Sequence, residues 1–241
     1  MKKELLTIYG RKPVLEALEN KDLKIYALHL SSSNKRSDIL DKIISLAKKR
    51  GVEIKYHTKR ELSFISKNSK QDQGVALDIL HPYIYEAEEF LKKYKKFRLF
   101  AIDGVQNPQN LGLIVRSAAA GNIDGIIFAK RKSAPLISPL TIKASAGTLF
   151  KVPIIKSYNL KETLNFFKIR GTKIAILDPK GETLFSKIDE DRIIYILGNE
   201  SSGVSKEIEE LKSFGVKIPM KDGIESLNVA MAATIIAFCQ N

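Results

Sequence analysis

The sequence predicts an α/β protein in two parts: a small mixed unit over residues 1–80 and a larger one over 97–241, joined by a linker at 81–96. From Phe97 onward, short apolar runs alternate with helical periods, the pattern of a mostly parallel sheet with covering helices. The first eighty residues carry strand and helix signals of their own. Between them lie Pro82 and the charged run Lys92-Lys-Tyr-Lys-Lys-Phe-Arg98, which read as a linker that continues as a helix.

The 241 residues are 44% hydrophobic and 28% charged, the balance of a globular chain rather than a disordered one. No apolar run approaches the ~20 residues that cross a bilayer, and the basic N-terminus lacks the apolar core of a signal peptide. A cytoplasmic protein is therefore expected. One cysteine and three scattered histidines argue against an internal disulfide and against a structural zinc site, so no metal is expected. Forty Lys+Arg against 27 Asp+Glu leave a net charge of +13, which suits a polyanionic partner, nucleic acid first. A lysine-rich solvated surface would give the same sum.

In the first unit, residues 13–19 combine an early Pro with helical spacing, and 23–30 read as a strand. Residues 37–50 form an amphipathic helix closed by Gly51, and 52–57 alternate as a strand. Thr58 and Glu61 have the spacing of a capping box for a helix over 58–67, and 74–80 is a further strand. In the second unit, strands are expected at 98–102, 123–128, 152–156, 173–177, 192–197 and 216–218. Helices are expected at 108–121, 138–147, 160–170 and 205–212, with a last one opening at Ser226 as its cap. That last helix is rich in alanine (Ala230, Ala232, Ala233, Ala237), so something packs closely against its backbone.

Ligands in open α/β sheets sit beyond the carboxyl ends of the strands, and three such ends are polar or glycine-rich. In the first, Gln106, Asn107, Gln109 and Asn110 crowd the start of the helix opened by Asn107-Pro108, and Arg116 follows in an otherwise apolar helix. A lone arginine on a helix is ordinarily a surface residue, but this one has few charged neighbours. In the second, Gly198-Asn-Glu-Ser-Ser-Gly203 lets a backbone turn approach a ligand, with Glu200 as an acceptor. It matches neither a phosphate-binding P-loop nor a dinucleotide fingerprint, which disfavours a dinucleotide-dependent oxidoreductase. The third carries Gly223, Ser226 and Asn228.

Taken together, the three stretches resemble the three motifs of the SpoU/TrmH family of RNA ribose 2′-O-methyltransferases, within the SPOUT superfamily. Asp103-Gly-Val-Gln-Asn-Pro-Gln-Asn-Leu-Gly-Leu-Ile-Val-Arg-Ser-Ala is similar to the first, with Asn110 and Arg116 at hallmark positions. Ile196-Leu-Gly-Asn-Glu-Ser-Ser-Gly is similar to the second, and Ile218-Pro-Met with Ser226-Leu-Asn-Val-Ala to the third. Ile8-Tyr-Gly-Arg-Lys-Pro-Val-Leu-Glu-Ala-Leu and Asp72-Gln-Gly-Val-Ala-Leu resemble the start and end of the ribosomal-protein-like RNA-binding domain found in the ribosomal-RNA branch.

The resemblance implies a C-terminal segment threaded as a trefoil knot, a homodimer, and S-adenosylmethionine held largely by main-chain groups. It implies Asn110, Arg116, Glu200, Ser226 and Asn228 as catalytic residues, and Leu177, Gly198, Ile218, Met220 and Leu227 as cofactor-binding residues. The implied reaction is methyl transfer to a ribose 2′-hydroxyl of RNA, with 23S-type ribosomal RNA and a guanosine favoured. The sulfonium donor is already activated, so the protein's task is positioning and the handling of one proton. Transfer RNA as substrate, or a catalytically inactive RNA-binding relative, are the competing readings.

Overall fold

The computed structural model describes residues 5–80, 84–129, 133–178, 180, 181, 183, 184, 188–221 and 226–238. The first unit runs β1 (Leu5–Tyr9), α1 (Arg11–Glu19), β2 (Lys24–Ser31), α2 (Asp38–Lys49), β3 (Glu53–His57), α3 (Lys59–Ser66), β4 (Val75–Leu80). Its sheet has the order β1-β4-β2-β3, with β1 and β2 antiparallel to β4 and β3 parallel to β2. Strand β1 was not anticipated, because its partner is remote: Leu5 lies opposite Leu80. Val14, Ala17 and Leu18 of α1 and Leu40, Ile43 and Ala47 of α2 bury against Ile8, Leu28, Leu30, Leu77 and Ile79 on one face of the sheet. The Thr58–Glu61 capping box forms at the start of α3. On the opposite sheet face, His29 Nε2 lies 3.0 Å from Asp78, His29 Nδ1 lies 2.9 Å from His57, and Thr7 donates to Asp78 at 2.6 Å. Burial would raise the Asp78 carboxyl, but the bonds from His29 and Thr7 hold it below the usual carboxylate range.

The second unit runs β5 (Ile84–Tyr85), α4 (Ala87–Lys93), β6 (Phe97–Ile102), α5 (Pro108–Ala120), β7 (Gly125–Ala129), α6 (Pro139–Ala144), a 3-10 turn (Thr148–Lys151), β8 (Ile154–Ser157), α7 (Leu160–Lys168), β9 (Lys173–Leu177), β10 (Thr183–Leu184), β11 (Arg192–Leu197), α8 (Lys206–Glu209), β12 (Phe214–Lys217) and α9 (Val229–Phe238). Among the described residues the sheet has eight strands in the order β10-β12-β9-β11-β6-β7-β8-β5, and every pairing is parallel. Residues 84–93, read from sequence as linker, supply β5 and α4 to this unit: β5 pairs with β8, and Phe90 is fully buried. The helix expected over 205–212 is α-helical only to Glu209. Beyond it the amides of Leu211 and Lys212 bond back three residues, to Ile208 and Glu209, which tightens the turn.

The central strands bury both faces, which is why they read as unbroken apolar runs rather than alternating ones. Ile193, Tyr195 and Leu197 of β11 enter one core with α5, α6 and α9, whereas Ile194 and Ile196 enter a second with Phe90, Leu164, Phe167 and Ile208. The alanines of α9 have the close neighbour they imply. A Cβ on Gly121 would sit 2.4 Å from the Ala237 carbonyl oxygen, so only glycine lets the end of α5 meet α9 there.

The two units meet where α1 faces α6, around a cavity lined by Glu16, Glu19, Gly147 and Lys151. Burial, and then Glu19, push the Glu16 carboxyl above its usual range, and its Oε2 is buried without a hydrogen-bond partner among the described residues. An acid with a raised folded-state pKa adds stability below its unfolded pKa and loses it as pH rises through the folded value. Glu16→Gln is therefore expected to raise the thermal midpoint slightly at pH 8, with the gain closing by about pH 4.5. Melting curves at the two pH values test this, and an equal shift at both would refute it.

Candidate active site

Three loops at the carboxyl ends of β6, β11 and β12 build the site. Asn107 opens α5: its Oδ1 accepts the Gln109 amide at 2.8 Å, and Pro108 takes the first helical position. That start presents Asn110 to the loop after β11, where its Nδ2 donates to Glu200 at 2.9 Å. Asn228 donates to the Asn110 Oδ1 at 3.3 Å, and its own Oδ1 accepts the Ala230 amide at 2.8 Å. Asn228, not Ser226, is thus the cap of α9, which opens at Val229. The expectation of a Ser226 cap is corrected because the position two residues later meets the orphan amide. Three of the five expected catalytic residues form one hydrogen-bonded chain.

Two residues that sequence reasoning did not single out hold the loops in register. Asn199 donates to the Gly104 carbonyl at 2.8 Å while its Oδ1 accepts the amides of Ser201 and Ser202. Asp103 accepts the Ser205 amide at 2.7 Å. The signal for Asn199 was present, since an Asx residue bonding the backbone two residues on is a turn device. Its bond to Gly104 could not be read locally.

Beside the cluster lies a cavity of about 140 Å³, lined by Leu177, Asp178, Val216, Ile218, Met220, Ser226, Leu227 and Ala232. Four of the five residues expected at the cofactor are here, together with Ser226. Lys212 sits 3.0 Å from Asp178 and, by that bond, draws its carboxyl below the usual range. Gly198 is not among the lining residues. A Cβ there would lie 2.5 Å from the Gly203 backbone, so its role in the fold is to let the 199–203 turn close. Arg116 is exposed, six residues beyond Asn110 and about 9 Å further along α5. It makes no hydrogen bond or ion pair with the described residues.

The model of the SpoU rRNA methylase family matches residues 98–238. The chain belongs to that family. A second model, for the substrate-binding domain of RNA 2′-O ribose methyltransferases, matches residues 7–83. Among relatives of this SpoU-family methyltransferase, a Staphylococcus epidermidis protein assigned to the TrmH family of tRNA/rRNA methyltransferases is 32% identical over 98% of this chain and 94% of its own length. An uncharacterized tRNA/rRNA methyltransferase of Mycolicibacterium paratuberculosis is 31% identical over 97% of this chain and 76% of its own. The SpoU methyltransferase AviRb of Streptomyces viridochromogenes, solved with AdoMet, shares the fold with a TM-score of 0.72 at 23% identity, over 97% of this chain and 88% of that one. An AdoMet-bound rRNA methyltransferase from Sinorhizobium meliloti superposes with a TM-score of 0.68 at 22% identity, over 98% and 86% of the two chains. Among the described residues of this SpoU-family chain, no group of three or more His, Cys, Asp and Glu is placed to hold a metal ion, and no helix is long and apolar enough to cross a membrane.

Proposed function

We propose that the protein transfers a methyl group from S-adenosylmethionine to a ribose 2′-hydroxyl of RNA in the cytoplasm, with 23S-type ribosomal RNA and a guanosine favoured. The observation that carries this reading is the Glu200–Asn110–Asn228 chain standing beside the apolar cavity at the same sheet edge. The cavity fits the cofactor by its chemistry. Leu177, Val216, Ile218 and Leu227 offer apolar walls to a flat heterocycle, and Ser226 offers a hydroxyl to a polar tail. When bound, S-adenosylmethionine supplies an electrophilic methyl group on a positively charged sulfur.

The chain's own residues then position the acceptor. Glu200 and Asn228 hold the Asn110 amide, which orients the ribose. Arg116 clamps the adjoining phosphate with its planar fork of donors, and it does not act as the base, because a guanidinium keeps its proton throughout the working pH range. The hydroxyl proton leaves late, to water or phosphate. The lysine-rich N-terminal unit supplies phosphate affinity, which falls steeply with salt. The reading also includes a knotted C-terminal segment and a homodimer. In support of the dimer, Leu113 of α5 and Met231 and Phe238 of α9 are 43%, 61% and 49% exposed on two helices that pack together. Met231→Asp is expected to convert a dimer into a monomer by sedimentation, and an unchanged mass would remove this face from consideration.

The test of function is transfer of labelled methyl from S-adenosylmethionine to RNA lacking such modifications, followed by nuclease mapping. Label on a ribose of ribosomal RNA is the expected result. Label in transfer RNA keeps the chemistry and replaces the substrate. No label together with no cofactor binding supports an RNA-binding protein instead.

A further inference from the structure

Helix α3 of the first unit presents a surface that the proposed reaction leaves unused. It buries Leu62 and Ser66 where it packs on the small sheet. At about 3.6 residues per turn, Arg60 and Phe64 fall on the opposite side of the helix, and both are exposed. Phe64 is 68% exposed, more than any other phenylalanine among the described residues. The helix ends at Lys67 in the left-handed region, at φ 53°, a conformation that glycine adopts at least cost. A lysine there keeps a cation beside Phe64 where the backbone alone favours glycine. The turn beyond is fixed from within. Asp72 accepts the Ser66 hydroxyl and the Gly74 amide, each at 2.9 Å, and Asn68 donates to the Tyr9 hydroxyl at 3.0 Å.

The charge on this segment is one-sided. Lys59, Arg60, Lys67 and Lys70 are exposed, and none of them forms an ion pair with another described residue. The segment's two acids are turned to other work. Glu61 reaches back to accept the Thr58 amide and hydroxyl at 2.8 and 2.9 Å, and Asp72 is only 5% exposed. A water-exposed aromatic ring set among free cations suits a nucleic-acid base with its flanking phosphates. The base must be unpaired, because only an unstacked base offers its face to a side chain. A protein partner fits less well. A stable interface covers about 800 Å² on each side, and Phe64 is the one large apolar side chain exposed on α3.

We propose that the outer side of α3 grips single-stranded RNA, an unpaired base stacking on Phe64 while Arg60 and Lys67 hold the adjoining phosphates. This rests on the reading of the chain as acting on RNA. It gives the N-terminal unit a preference for looped or single-stranded RNA over duplex, which net charge alone does not confer.

The test is fluorescence anisotropy with the full chain and two labelled RNAs, a mixed-sequence single strand and a fully paired duplex of equal length, over a range of salt. The variants are Phe64→Ala, Phe64→Tyr and the double variant Arg60→Gln with Lys67→Gln. All three positions are exposed, so the fold does not depend on them. The parent should bind the single strand more tightly than the duplex. Phe64→Ala should lose about tenfold on the single strand, with the duplex affinity and the salt dependence unchanged, and Phe64→Tyr should restore the parental value. The double variant should flatten the slope of log affinity against log salt on the single strand by about 1.4, for two phosphate contacts. Parental affinity for the single strand in Phe64→Ala overturns the proposal, and so does an equal loss on the duplex. A changed sedimenting mass in Phe64→Ala with RNA affinity unchanged makes this face a contact between copies and overturns it too. Methyl transfer measured alongside separates the two readings. The expected losses in a chain that transfers no methyl keep the RNA surface and reject the reaction, whereas normal transfer with parental affinity in Phe64→Ala rejects the surface alone. Absence of RNA binding and of transfer in the parent rejects both.

Discussion

Arg116→Ala should lower methyl transfer by about 10²–10³-fold, the usual cost of removing one group that stabilises charge in a transition state. Binding of S-adenosylmethionine should stay within about twofold of the parent, because Arg116 does not line the cavity proposed to hold it. Arg116 is exposed on α5 and bonds no described residue, so its removal does not undermine the fold. Arg116→Lys keeps the charge and loses the planar fork, so partial recovery identifies phosphate clamping. Single-turnover transfer and calorimetry of cofactor binding separate chemistry from affinity. Normal turnover by the alanine variant would sink the assignment.

Gly198→Ala is the second large effect. The added methyl would meet the backbone of Gly203 and Val204 at 2.5 and 2.6 Å, and neither is a side chain that can swing away. The 199–203 turn must open, which costs about 1–3 kcal/mol as overpacking does. It also pulls Glu200 away from Asn110, whose bond depends on that turn. A displacement of about 1 Å at a positioning residue costs on the order of a hundredfold in rate. The expected signature is a lower thermal midpoint together with lost transfer. Loss of cofactor affinity with an unchanged midpoint would instead make Gly198 a direct cofactor contact.

Much of the fold was legible because its signals are local. The strand at Arg192–Leu197 is bounded as expected, and the Thr58–Glu61 box and the Asn107-Pro108 helix opening form as their spacing implies. Each depends on residues within one turn or one strand of each other. Strand β1 and the short strands β5 and β10 were not legible, since their pairing comes from partners far along the chain. The cap of α9 was displaced by two residues because both Ser226 and Asn228 are good caps, and the fold chose the one that also reaches Asn110.

Periodicity, capping and motif spacing are short-range properties, so the α/β class, the parallel sheet of the larger unit and the side chains available for chemistry were readable from the order of residues alone. Which of those side chains touch depends instead on the packing of the whole chain. Glu200 and Asn228 lie 90 and 118 residues beyond Asn110 along the chain. They meet because the sheet order sets β6 beside β11 and α5 against α9. The same order leaves Arg116 outside the polar chain. Strand order is a global packing solution, and no window of neighbouring residues contains it.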